Sequence, residues 1–234
     1  MTDLDSLRRA AIIGVALAIA VGIVTGPIYF AAFGFDLEAA LFVRPEAVLG
    51  RGTETAVLWR WGFLGDMLFS YLLLLPLALF SHRRVCERRR WLADVGLAGA
   101  VAYIFIGGAA AAILAHAGGS LIEAYDGAGS AERSAILMTF HVLREAFVFG
   151  VWQTLDGLTA GTWLVSTGLL LLVDRGLIGR LLIMLGLWAW AFVAMTTISG
   201  IHSLALLGGG LTVALAIWIL WFALGRRRVV AQAR

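Results

Sequence analysis

Asp66 and Asp156 are the residues whose chemistry stands out, because each places an ionisable carboxyl inside a long apolar run. Charged side chains within a bilayer are costly and usually face partners, water or a transported ion. Asp66 lies about eight residues into the run 58–80, on the order of 12 Å deep at 1.5 Å rise per residue. Asp156 stands near the start of a later run. Arg60, Arg144 and Glu145 fall near run ends, and Tyr103 sits in the middle of 91–117. Arg60, Asp66, Tyr103, Arg144, Glu145 and Asp156 are therefore candidates to line an outward-facing polar cavity able to hold a proton or a solute. The plainer expectation is structural, with Asp66 or Asp156 paired to Arg60 or Arg144 so that ion pairs pin helices together.

Three histidines form a second constellation. His116 closes one apolar run, His141 precedes the next, and His202 opens the last. Glu145 follows His141 by four residues, one helical turn, and so shares its face. Such a set could ligate a metal or, through two imidazoles, a b-type haem. His82 stands in an arginine block and reads as a solvated bystander. No H-E-x-x-H, Gly-rich phosphate loop or G-x-S-x-G occurs, which removes the motif-based hydrolase and nucleotide-binding readings. The chain has no lysine, which excludes retinal or pyridoxal Schiff bases and lysine general bases. These readings point to a protein that is not an enzyme and has no cofactor, haem or metal being the alternative.

The elements that must position these residues are apolar helices. Of 234 residues, 61% are hydrophobic and 14% charged, whereas a soluble domain is about 25% charged. The excess extends over the whole length, which predicts an all-α, polytopic transmembrane bundle forming a single membrane domain. The net charge of +3 suggests nucleic acid only until the arginines are located, since they flank apolar runs as the positive-inside rule requires. The single cysteine, Cys86, excludes a disulfide framework. The apolar run that follows Arg8 and Arg9 is too long for a cleavable signal and reads as a retained first helix.

Predicted spans are 10–33, 58–80, 91–117, 151–174, 181–198 and 204–224. The stretch 133–174 decides the count, being too long for one crossing of about 20 residues and barely long enough for two. Residues 82–90 carry five arginines against Glu87, and the tail holds Arg226, Arg227, Arg228 and Arg234 without an acid. Both belong on the cytoplasmic side, with the N-terminus. The acidic loops 35–57 and 118–132 fit the outside. If 133–174 crosses once, the turn with Arg175 and Arg180 also falls inside. Six crossings result, with both termini cytoplasmic; seven is the alternative. Residues 131–150 are then expected as an outer amphipathic helix, with a bend at Gly150 before the span.

Gly22-x-x-x-Gly26 and Gly157-x-x-x-Gly161 allow close backbone approach, and 107–112 offers another small-residue face. Pro27 and Pro76 are expected to kink their helices.

Three passages carry a resemblance: RWGFLGDMLFSYLLLLPLALF (60–80), WLADVGLAGAVAYIFIGGAAAAIL (91–114) and GLTAGTWLVSTGLLLLVDRGLIGRLLIMLG (157–186). Together they resemble the bacterial multi-pass membrane proteins grouped as domain of unknown function 4386, over roughly 60–114 and 141–188. The motifs are Arg60 with Asp66 and the turn Arg175-Gly-x-x-x-Arg180. The family often has a proline before that second arginine, where this chain has Gly179. The resemblance implies a six-helix architecture and no activity. The expected function is that of a non-enzymatic protein of the bacterial cytoplasmic membrane, in contact with lipid. It would act as a packing or accessory subunit, with itself or with a membrane partner. The alternatives are a transporter or channel-like protein and a haem or metal redox protein.

Overall fold

A computed structural model describes residues 3–40, 45–173 and 176–199. Among these the chain is helical without a strand, and five helices are long and apolar enough to cross a membrane. They are α1 (Asp3–Ala32), α2 (Thr53–Val85), α3 (Arg90–Gly127), α4 (Ser130–Leu171) and α5 (Gly176–Ser199). The predicted span 204–224 lies outside the described residues, as does His202.

Each long helix packs on the next in sequence. Small residues set the approach. A Cβ on Gly99 of α3 would come within 2.8 Å of the Thr159 carbonyl oxygen on α4. Gly161 and Gly168 of α4 meet Gly186 and Gly179 of α5 so closely that a Cβ on Gly168 would lie 2.8 Å from the Gly179 carbonyl. The Gly157-x-x-x-Gly161 motif is thus used within the chain. On α1, Gly22 meets the Phe69 ring, whereas Gly26 has nothing within 4 Å.

Pro27 leaves α1 unbroken, but Pro76 perturbs α2. Proline has no N–H to give the carbonyl four residues earlier, here that of Leu72. That carbonyl instead accepts from the Leu75 N–H, tightening Leu72–Leu74 into a 3₁₀ turn. Just before it, Met67–Tyr71 widens into a π turn. Helix α3 widens likewise at Leu114–Gly118 and α4 over Arg144–Leu155.

Helix α4 corrects one expectation. It runs through Gly150 without a break, so 131–150 is not a separate outer helix but the first half of a single element of 42 residues. At about 1.5 Å per residue α4 is about 60 Å long, roughly twice the ~30 Å hydrocarbon thickness. Helix α3, with 38 residues, overruns it as well.

The overrun divides the molecule into two stacked cores. One joins the early part of α1, the later part of α2, the early part of α3 and the later part of α4, through Val15, Leu77, Ile104, Trp163 and Leu164. Its outward surface is apolar, with Ile23, Leu79, Phe105 and Leu187 exposed, as lipid contact requires. The other gathers Phe33, Leu49, Trp59, Phe63, Leu114, Ile122 and Phe140. Around it polar residues are exposed, Glu123, Asp126, Glu132, Arg133 and Ser134, beside apolar ones such as Trp61, Met138 and Val142. At the opposite end, Arg88 of the arginine block donates to the Leu170 carbonyl at 2.6 Å, satisfying one of the last carbonyls of α4.

Candidate functional site

The site begins with the absence of a side chain at Gly107 of α3. A Cβ there would overlap the Tyr71 ring and come within 2.8 Å of Asp156 Oδ2. Tyr71 and Asp156 occupy that space and meet in it: the tyrosine hydroxyl donates to Asp156 Oδ2 at 2.6 Å. Tyr71 is the last residue of the π turn in α2, with φ −129° and ψ −78°. Asp156 is the first residue after the π segment of α4. Wide turns add a residue to the local register and recur at functional sites. Here one adjoins each member of the pair.

Asp156 is 6% exposed, and its Oδ1 is buried with no hydrogen-bond partner. A second carboxyl acts on it electrostatically, that of Asp66, whose Oδ1 accepts from Ser70 Oγ at 2.7 Å. The Tyr103 hydroxyl donates to the Ser70 carbonyl at 3.2 Å, its ring centroid 5.0 Å from that of Tyr71. Trp152 closes the group, donating from Nε1 to the Gly107 carbonyl at 3.3 Å and stacking on Phe63 at 5.6 Å. Trp152 packs against both apolar cores, which places this polar cluster at their junction.

Three of the six residues singled out as cavity lining, Asp66, Tyr103 and Asp156, are therefore brought together. The arginines and Glu145 are not. Arg60 forms a two-pronged ion pair with Glu123, both contacts 2.7 Å, on the polar surface. Arg144 Nη2 contacts Glu145 Oε1 at 2.6 Å, and its guanidinium lies 5.1 Å from the Phe149 ring centroid. The expected pairing of Asp66 or Asp156 with Arg60 or Arg144 is corrected: Ser70 and Tyr71 serve the aspartates instead. Sequence reasoning missed Tyr71, Ser70 and Glu123, and took Gly107 only as part of a small-residue face. The signals available were a Ser-Tyr pair one helical turn after Asp66 and the Gly107–Gly108 pair.

A small crevice lies nearer the arginine block, between α2, α3 and α4, lined in part by Ser81, His82, Gly96, Trp163 and Thr167. Beside it His82 Nε2 and Asp94 Oδ1 are 2.9 Å apart, so His82 is engaged rather than a bystander. His116 is exposed on α3 and His141 half-buried on α4. Among the described residues no three of His, Cys, Asp and Glu come together as a metal site, and the third histidine of the expected set, His202, lies outside them.

Among the described residues these features define a helical protein with five helices long and apolar enough to cross a membrane and a buried hydroxyl–carboxyl cluster between two cores. No family model matches the chain, and no curated protein or solved structure does either.

Proposed function

We propose that this chain is a transporter or channel-like protein of a bacterial cytoplasmic membrane, with six crossings and both termini on the cytoplasmic side. One observation carries the reading: Asp156 is buried at the helix junction with one oxygen unpartnered and, among the described residues, no cation beside it. Removing a charge from water costs several kcal/mol even after relaxation. A structural pin would recover that cost through an arginine and a full set of hydrogen bonds. A group left short of partners in a membrane is instead the signature of a site that exchanges an ion or solute.

The packing or accessory reading drew on small-residue faces, and those of α4 are occupied by α5 of the same chain. Membership of the family grouped as domain of unknown function 4386 is part of the proposal and adds no activity to it. The bilayer is the partner in every version. The test is flux in proteoliposomes under imposed proton and alkali-cation gradients, wild type against Asp156→Asn. Flux reduced by the substitution is expected. Flux that ignores it, together with a defined oligomer or co-purifying subunit in native mass spectrometry from mild detergent, would favour the accessory role.

A further inference from the structure

We propose that Asp156 is a proton-binding site, in which Tyr71 holds Oδ2 while Oδ1 takes up and releases the hydrogen. The inference rests on the transport reading and names its cargo class.

Four features of the geometry lead there. Oδ1 is the free position, because Oδ2 already accepts a short hydroxyl bond of 2.6 Å and Oδ1 has no partner. Among the described residues no positive group offsets a charge at this place. The titratable groups facing Asp156 are Tyr71 and Asp66 from α2 and Tyr103 from α3, and none is a cation. On α1 Tyr29 acts on Asp66, and no α1 group acts on Asp156. On α5 the only titratable side chain among the described residues is Arg180. It lies thirteen residues from Val193, the residue that packs on Gly157, so about 20 Å away along the helix.

Coordination chemistry then selects among cations. A metal cation needs about six oxygens at roughly 2.0–2.6 Å. The Ser70 carbonyl already accepts from Tyr103, Asp66 Oδ1 from Ser70 and the Gly107 carbonyl from Trp152, so a metal would compete with a hydrogen bond at each of these oxygens. A proton needs one lone pair and no space, and the neutral acid is the form an apolar surround accepts without a counter-ion.

The experiment uses the full chain in membrane vesicles with the apolar reagent dicyclohexylcarbodiimide. A carboxylic acid adds its oxygen to the central carbon and its proton to a nitrogen; acyl migration then gives a stable N-acylurea with nothing lost. Peptide mass spectrometry is expected to find the adduct on Asp156, decreasing as pH rises and lost in Asp156→Asn. Difference infrared spectroscopy is expected to show a protonated-carboxyl band that the same substitution removes. An adduct indifferent to pH, or the lack of both adduct and band, overturns the proposal. Proton signals at Asp156 without flux would keep the site and remove the transport reading. Flux sensitive to Asp156→Asn without either proton signal would keep transport and move the cargo to another ion or solute.

Discussion

Gly107 carries the site by having no Cβ, and that makes it testable one atom at a time. Gly107→Ala drives a methyl group into the Tyr71 ring and against Asp156 Oδ2, atoms held by their own hydrogen bond. Overpacking a fitted interior typically costs about 1–3 kcal/mol, so the thermal melt in detergent is expected to fall clearly. Gly26→Ala is the matched control, because nothing lies within 4 Å of the added atom. In a helix interior that change is neutral or stabilising, by up to about 1 kcal/mol. Equal melts for the two variants would contradict this account of the site. At this scale Asp66, Tyr103 and Asp156 were readable in advance, because a polar residue in an apolar run is conspicuous. Tyr71 and Gly107 were not, since a tyrosine or a glycine in such a run has many unremarkable uses, and only its contacts distinguish one from another.

Among the elements, α4 decides most of the architecture. It carries Asp156 on the side facing α2 and α3, and glycines on the side facing α5. Where the Gly168 and Gly179 carbonyls and α-carbons nearly touch, an added Cβ would sit 2.7–2.8 Å from a backbone oxygen. Backbone cannot swing aside as a side chain can, so Gly168→Leu must force the helices apart. The expected cost is about 1–3 kcal/mol or more, seen as a lower melting temperature and loss of any disulfide engineered across α4 and α5. A variant that melts and cross-links like the parent would show that the two helices do not need this approach. In α2 the lost N–H of Pro76 goes with a local rewinding of the turns before it, whereas α1 continues as one helix through Pro27.

For the molecule as a whole, sidedness is the property that a single residue can report. The chain has one cysteine, Cys86, half-buried at the end of α2 beside the arginine block. With that block on the cytoplasmic side, a membrane-impermeant maleimide should leave intact cells unlabelled and react with Cys86 after the membrane is opened. Labelling of intact cells would invert the topology and place the larger polar end in the cytoplasm. The His82–Asp94 contact and the crevice beside it lie at this same end, so the experiment also states which compartment they face.

The amino-acid sequence alone determined the solvent and the class of element. Backbone groups in lipid must be satisfied within helices or closed barrels, long continuous apolar runs fit the helix, and five helices long and apolar enough to cross a membrane are present among the described residues. It also determined which ionisable groups are expensive to bury. Tertiary structure alone decided how those groups are partnered, choosing tyrosine and serine over arginine and leaving Oδ1 of Asp156 without a partner. It also decided that 131–150 continues into α4 and that two cores stack end to end. The physical reason is that hydropathy depends on each residue's own transfer free energy, whereas partnering depends on register. Register here is set by widened turns at Met67–Tyr71 and Arg144–Leu155 and by glycines that fix how closely the helices approach.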